Sequence, residues 1–111
     1  MCYIIYDRVD MVIIKTEEFS EWLDSLSLKE QLQVEGRLLR IQYENHYGVF
    51  KRIDESISEL KWGNGRRVYY SLSFNNMGEA LLVLLGGNKN SQSDDIKAAK
   101  RILLKLKEAR L

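Results

Sequence analysis

The second half of the chain carries side chains suited to handling a phosphodiester: Arg67, Lys61, Lys89 and Tyr69, with Lys51, Arg52, Arg66 and Gln92 near them in sequence. Such groups can neutralise phosphate charge and carry protons. Arg67 offers phosphate a planar fork with a permanent charge; the competing reading is a surface arginine in a cross-strand pair with Glu59. Strand alternation places Arg67 and Tyr69 on one face, with Val68 and Tyr70 on the other. Val68 is expected to face the helices, leaving Arg67 and Tyr69 on an open side. Lys61 and Glu59 share a face opposite Leu60. Lys61 suits phosphate binding or proton transfer, and Glu59 suits proton acceptance or an ion pair with Lys61 or Arg67. Lys89 follows Gly86-Gly87-Asn88 and precedes a helix start, whose free N–H groups suit an anion. Gln92 fits a hydrogen bond to a base; both also fit a purely structural loop. Tyr69 fits base stacking, proton transfer or plain packing. Lys51 and Arg52 widen the basic surface. His46, the only histidine, is of a residue type suited to general acid–base work but falls where a helix should end, a place for carbonyl capping.

Composition narrows the chemistry. The 111 residues suit a single domain over 1–111. Cys2 is the only cysteine, which leaves no internal disulfide and no cysteine metal cluster, and no metal or other cofactor is expected. No apolar run reaches the roughly eighteen residues of a membrane span. The apolar opening Met1–Tyr6 is broken by Asp7, Arg8 and Asp10 and does not read as a signal peptide. A cytoplasmic protein is expected. Net charge is +1, but residues 1–50 carry −4 and residues 51–111 carry +5. That asymmetry fits either a local polyanion site or ordinary solvated charge.

The elements that must position these residues follow from patterning. Val9–Lys15 reads as a strand. Thr16 caps a helix with Glu17 and Glu18 in its first turn and Phe19, Trp22, Leu23 and Leu26 on one face. Ser27-Leu28-Lys29-Glu30 is a capping box opening a second helix, with Leu28, Leu32, Leu39 and Tyr43 along one side of it, widened by Leu38 and Ile41. Asn45–Gly48 ends a tight helical hairpin. Strands are expected at Ile57–Trp62, Arg66–Ser73 and Ala80–Leu85, with turns at Gly63-Asn64-Gly65 and Asn75–Gly78. Gly86-Gly87-Asn88 should stop the last strand. Ser91 should cap a final helix with Ile96, Ala99, Leu103 and Leu106 inward. The expected architecture is α+β, β-α-α-β-β-β-α, an antiparallel-rich sheet with the hairpin on one face.

In this order the segments resemble a known family. Phe19–Leu26 is similar to the opening helix, Ile57-Ser58-Glu59-Leu60-Lys61 to one strand and Gly65–Tyr70 to the next strand of the phage-related addiction-module killer branch of the RelE/ParE superfamily. Leu84–Lys100 resembles that branch's loop and final helix and is the most specific stretch. Two departures stand out: the hairpin between Lys61 and Arg67 is about two residues short, and Arg66 stands where the family usually has Tyr. The resemblance implies a RelE-like fold and the toxin of a type II toxin–antitoxin pair. It implies an mRNA interferase that cuts ribosome-bound mRNA as a metal-independent endoribonuclease. It implies a helix-turn-helix antitoxin as partner and no membrane association. The alternatives within the same resemblance are a ParE-like toxin acting on DNA gyrase and an inactive module that binds only its antitoxin.

Overall fold

The computed structural model describes residues 11–75 and 78–109, with Asn75 as backbone alone. Val9 and Asp10 of the expected first strand lie outside these residues. Strand β1, Met11–Lys15, leads into α1, Glu17–Asp24, and α2, Leu28–Glu44. Strands β2 (Phe50–Arg52), β3 (Ser58–Lys61), β4 (Arg66–Asn75) and β5 (Gly78–Asn88) follow, then a 3-10 turn at Lys89–Ser91 and α3, Gln92–Glu108. The order across the sheet is β1-β5-β4-β3-β2. β1 runs parallel to β5, and every other pair is antiparallel. Among the described residues the fold is thus mixed α+β with five strands and three helices, the last of them C-terminal. The short β2 is an addition to the three later strands expected from the sequence.

Local signals account for the helix ends. Thr16 accepts from the Phe19 amide at 3.0 Å and donates its hydroxyl to the Leu84 carbonyl at 2.7 Å, so one residue caps α1 and ties it to β5. Ser27 and Glu30 form the reciprocal capping box of α2. Asn45 closes α2 with φ 54°, the left-handed conformation that favours Asn or Gly.

The helices cover both faces of the sheet. On one face Phe19 and Leu23 of α1 and Val34, Leu38 and Ile41 of α2 pack on Met11, Leu60, Val68, Tyr70, Leu81 and Val83. On the other, Ala99, Ile102 and Leu103 of α3 pack on Ile57, Tyr69, Leu82 and Leu84. β5 is therefore covered on both sides, as its unbroken apolar run requires. The apolar side of α2 read from the sequence divides here: Leu38 and Ile41 enter the core, whereas Leu28, Leu32, Leu39 and Tyr43 all point to solvent. The helix is turned by polar anchors. Arg37 donates to the carbonyls of Lys61, Tyr47 and Val49 at 2.6, 2.9 and 2.7 Å and lies 4.2 Å from the Trp62 ring centre. Lys15 pairs with Glu35 at 2.7 Å, and Gln42 donates to the Met11 carbonyl at 2.9 Å.

Gly86 and Gly87 do not end β5; the strand runs through them to Asn88. Their role is close approach. A Cβ on Gly86 would lie 2.1 Å from the Trp22 ring on the hairpin side. A Cβ on Gly87 would lie 2.0 Å from the Asp95 carboxylate on the α3 side.

Candidate nucleic-acid interface

The register brings most of the sequence-selected residues to the α3 side of the sheet. Lys51 of β2 is opposite Glu59 of β3, Glu59 is opposite Tyr69 of β4, Lys61 is opposite Arg67, and Arg67 is opposite Gly87 of β5. Paired residues share a face. Lys89 continues this face past the end of β5. Its amide donates to the Gly65 carbonyl at 2.8 Å, and its aliphatic stem lies over Gly65, whose φ of 97° closes the β3–β4 turn. Helix α3 starts beside Glu59 and Gly87 and runs away over Tyr69 and Leu82, so Lys61, Arg67 and Lys89 lie beyond its first turn.

Glu59 is the buried centre. Its Oε1 accepts from Gln92 Nε2 at 2.8 Å, which pins the start of α3 to β3. Its Oε2 faces Arg67 Nε at 3.9 Å, an ion pair too long for a hydrogen bond. Arg67 Nη1 donates to the Arg66 carbonyl at 3.1 Å, and the side chain keeps 12% exposure. Three buried atoms gathered here, Glu59 Oε2, Arg67 Nε and the Tyr69 hydroxyl, have no hydrogen-bond partner among the described residues. Burial, then the Glu59 and Asp95 carboxylates, raise the Tyr69 hydroxyl far above the ordinary phenol value. It stays protonated and can only be a neutral group at physiological pH.

Several expectations meet a different geometry. Tyr69 does not look onto an open side, because α3 covers it completely; a base cannot stack on it. Arg66 alternates to the hairpin face, 6% exposed, with Nη2 2.9 Å from Glu30 and Nη1 donating to Gln33 at 3.2 Å. Arg52 also faces away from Lys51, donating to the Asp54 carbonyl at 3.1 Å and lining an apolar groove of about 530 Å³ with Tyr47, Phe50 and Tyr70. That groove, the largest described, lies across the sheet from the basic residues. Trp62 is half-buried between Arg37 and Arg66. His46 is exposed beyond α2, its amide donating to the Arg40 carbonyl. Ser91 makes no cap bond; its hydroxyl donates to Asp95 at 2.5 Å, while Asn88 caps the 3-10 turn. Asp94 and Asp95 occupy the first turn of α3, so that helix end is already complemented by acid. Sequence reasoning missed Arg37, whose three carbonyl acceptors, two before β2 and one at the end of β3, lie 10 to 24 residues away along the chain and leave no local pattern. Among the described residues no group of three His, Cys, Asp or Glu is placed to hold a metal, and no helix is long and apolar enough to cross a membrane.

No protein-family model matches the chain. It is 35% identical over 94 residues to an uncharacterized protein of Haemophilus influenzae, a match covering 82% of this chain and 91% of that relative. The chain belongs to that protein's family. A continuous match of this extent includes Lys51, Glu59, Lys61, Arg67 and Tyr69 whichever end of the chain it omits. The matched stretch therefore spans the middle strands of this chain.

Proposed function

We propose that this protein is a RelE-like toxin of a type II toxin–antitoxin system, a cytoplasmic, metal-independent endoribonuclease acting on ribosome-bound mRNA and neutralised by a helix-turn-helix antitoxin. The observation that carries the reading is the register of Lys51, Lys61, Arg67 and Lys89 on one sheet face beside the start of α3. Four cations drawn from β2, β3, β4 and the end of β5 suit the successive phosphates of a single strand.

In this reading Arg67 stabilises the phosphorane, and Lys61, directly across from it, is the second phosphate ligand and the group placed for proton transfer. Lys89 and Lys51 hold flanking phosphates. Glu59 and Gln92 position Arg67 and α3 rather than touch RNA, because their polar ends are already joined. Arg52 and Arg66 take no part from their places on the opposite face. The unpartnered buried atoms around Glu59 support a functional origin, since such groups cost stability.

Induced expression should halt translation, and primer extension should map cuts in translated mRNA. Arg67→Ala should lower cleavage by about 100-fold or more, as expected for loss of a charged transition-state donor. Intact transcripts during growth arrest would reject the nuclease reading. One observation favours the ParE-like alternative: Glu59 and Tyr69 are sealed beneath α3, leaving no free acid–base pair beside Arg67. Gyrase-linked DNA breaks with intact mRNA would establish that reading in its place. Unaffected growth would leave a module that only binds its antitoxin.

A further inference from the structure

Helix α2 has two apolar sides, and only one is used. Val34, Leu38 and Ile41 enter the core. Leu28, Leu32, Leu39 and Tyr43 lie between 52% and 78% exposed. At 100° per residue these four fall within about 60° of one another, roughly opposite the core side. They form one apolar ridge along roughly 22 Å of helix. Leu39 also borders a groove with Val12 and Ile13 of β1, which extends the patch sideways. A contiguous ridge of this kind on a small protein marks an interaction surface.

The spacing of the ridge identifies the occupant. Leu28 and Tyr43 are placed symmetrically about the Glu35–Gly36 peptide, and so are Leu32 and Leu39. An isologous two-fold contact requires this property, because each residue must meet its mirror position on the other copy. Gly36 at the centre has open space around it, with nothing within 4 Å of an added Cβ, so two backbones can close there. The flanking charges agree. In an antiparallel pair the position after each ridge residue meets its equivalent on the other helix. Lys29, after Leu28, then meets Glu44 of the second copy, and Gln33, after Leu32, meets Arg40 of the second copy. Glu35, near the axis on the other flank, does not repel its counterpart strongly because Lys15 already pairs with it at 2.7 Å.

We propose that α2 packs antiparallel against α2 of a second copy of this chain, about a two-fold axis at Glu35–Gly36. The contact is small, roughly 1,000 Å² in total, at the low end of specific interfaces. It is therefore a concentration-dependent dimer and stands apart from the toxin reading.

Sedimentation equilibrium on the purified full chain should show a monomer–dimer equilibrium. Leu32→Glu should raise the dissociation constant by about 30-fold or more, with an unchanged far-ultraviolet spectrum because Leu32 lies outside the core. Lys29→Glu and Glu44→Lys should each weaken it by about fivefold, and the two together should restore it. In a Cys2→Ser background Gly36→Cys should oxidise to a covalent dimer, whereas Gly63→Cys, equally unobstructed in its turn, should not. A monomer at all concentrations overturns the proposal and leaves the ridge to a different partner. Failure of the charge swap to restore association overturns the antiparallel register, as does equal cross-linking by Gly63→Cys.

Discussion

Replacing Gly86 by alanine tests the packing on which the hairpin face depends. The added Cβ would lie 2.1, 2.2 and 2.4 Å from Cε3, Cδ2 and Cζ3 of Trp22. Ordinary carbon–carbon contact begins near 3.5 Å, so the indole must retreat by about 1.4 Å. It has little room. Phe19 packs against it with ring centres 5.7 Å apart, and α1 is fixed by the Thr16 hydroxyl on the Leu84 carbonyl, two residues from Gly86. Overpacking of this kind costs about 1–3 kcal/mol. The gain from replacing a strand glycine returns about 0.5–1 kcal/mol. Because the contact falls on a ring and not on a flexible chain end, a net loss of about 2 kcal/mol is expected, or a Tm lower by about 8 °C for a chain of this size. Gly36→Ala is the control: open space in mid-helix predicts a gain of about 1 kcal/mol. Urea melts followed by tryptophan fluorescence, with thermal melts by circular dichroism, read both. In a double-mutant cycle with Trp22→Leu, the pair should cost less than the sum by about 1 kcal/mol or more. A Gly86→Ala protein within 0.5 kcal/mol of the parent, or an additive cycle, would refute the close-approach role of Gly86.

Three further outcomes follow from the other face and the loops. Gln92→Leu leaves the buried Glu59 Oε1 without its 2.8 Å donor and should cost about 2 kcal/mol in urea unfolding; a neutral result would mean that Glu59 does not anchor α3. Alkaline titration followed by phenolate absorbance should leave Tyr69 and Tyr70 un-ionised at pH 11: burial, then Tyr47, push Tyr70 up to about 12, and Tyr69 is raised by burial and nearby carboxylates. Their folded values lie above the unfolded 10.0, so the associated stability is complete below pH 10 and is lost as pH rises toward 12; six ionisations near pH 10 in a natively folded protein would contradict the burial. Asp54 is lowered from 3.8 by the amides of Ser56 and Ile57 and then by Lys100. Its stabilisation is therefore present above pH 3.8 and disappears as pH falls through the lower folded value. Asp54→Asn should flatten the urea midpoint across that acid window, and an unchanged slope would count against the loop's role.

The element boundaries were legible because they rest on local chemistry: Thr16, the Ser27–Glu30 box, Asn45 and the Gly63–Gly65 turn act within a few residues of themselves. The orientation of α2 was not. Its sequence holds two apolar sides of similar length, and periodicity alone cannot choose between them. The choice is made by Arg37, Gln42 and Glu35, whose partners on β1, β3 and the loop before β2 are 10 to 31 residues away along the chain. The basic face was legible as far as strand alternation reaches: Glu59 with Lys61, and Arg67 with Tyr69. Which face α3 would cover was not, because an amphipathic helix states only that it needs an apolar sheet surface. Here both surfaces are apolar at the centre.

Covering both faces changes the meaning of Tyr69 and of the two glycines together. A sheet with one bare face would leave Tyr69 available to a nucleobase and would leave Gly86 and Gly87 as turn residues. With α1 and α3 closing on opposite sides of β5, successive residues must each lose their side chain, because one faces Trp22 and the next faces Asp95. Strand alternation makes adjacent glycines the local solution to two helices approaching at the same point. The same closure brings Gln92 onto Glu59, fixing where α3 begins and therefore how much of Arg67 remains uncovered. The exposure of the guanidinium, and with it any capacity to meet phosphate, is thus set by helix–sheet packing on the strand next to its own.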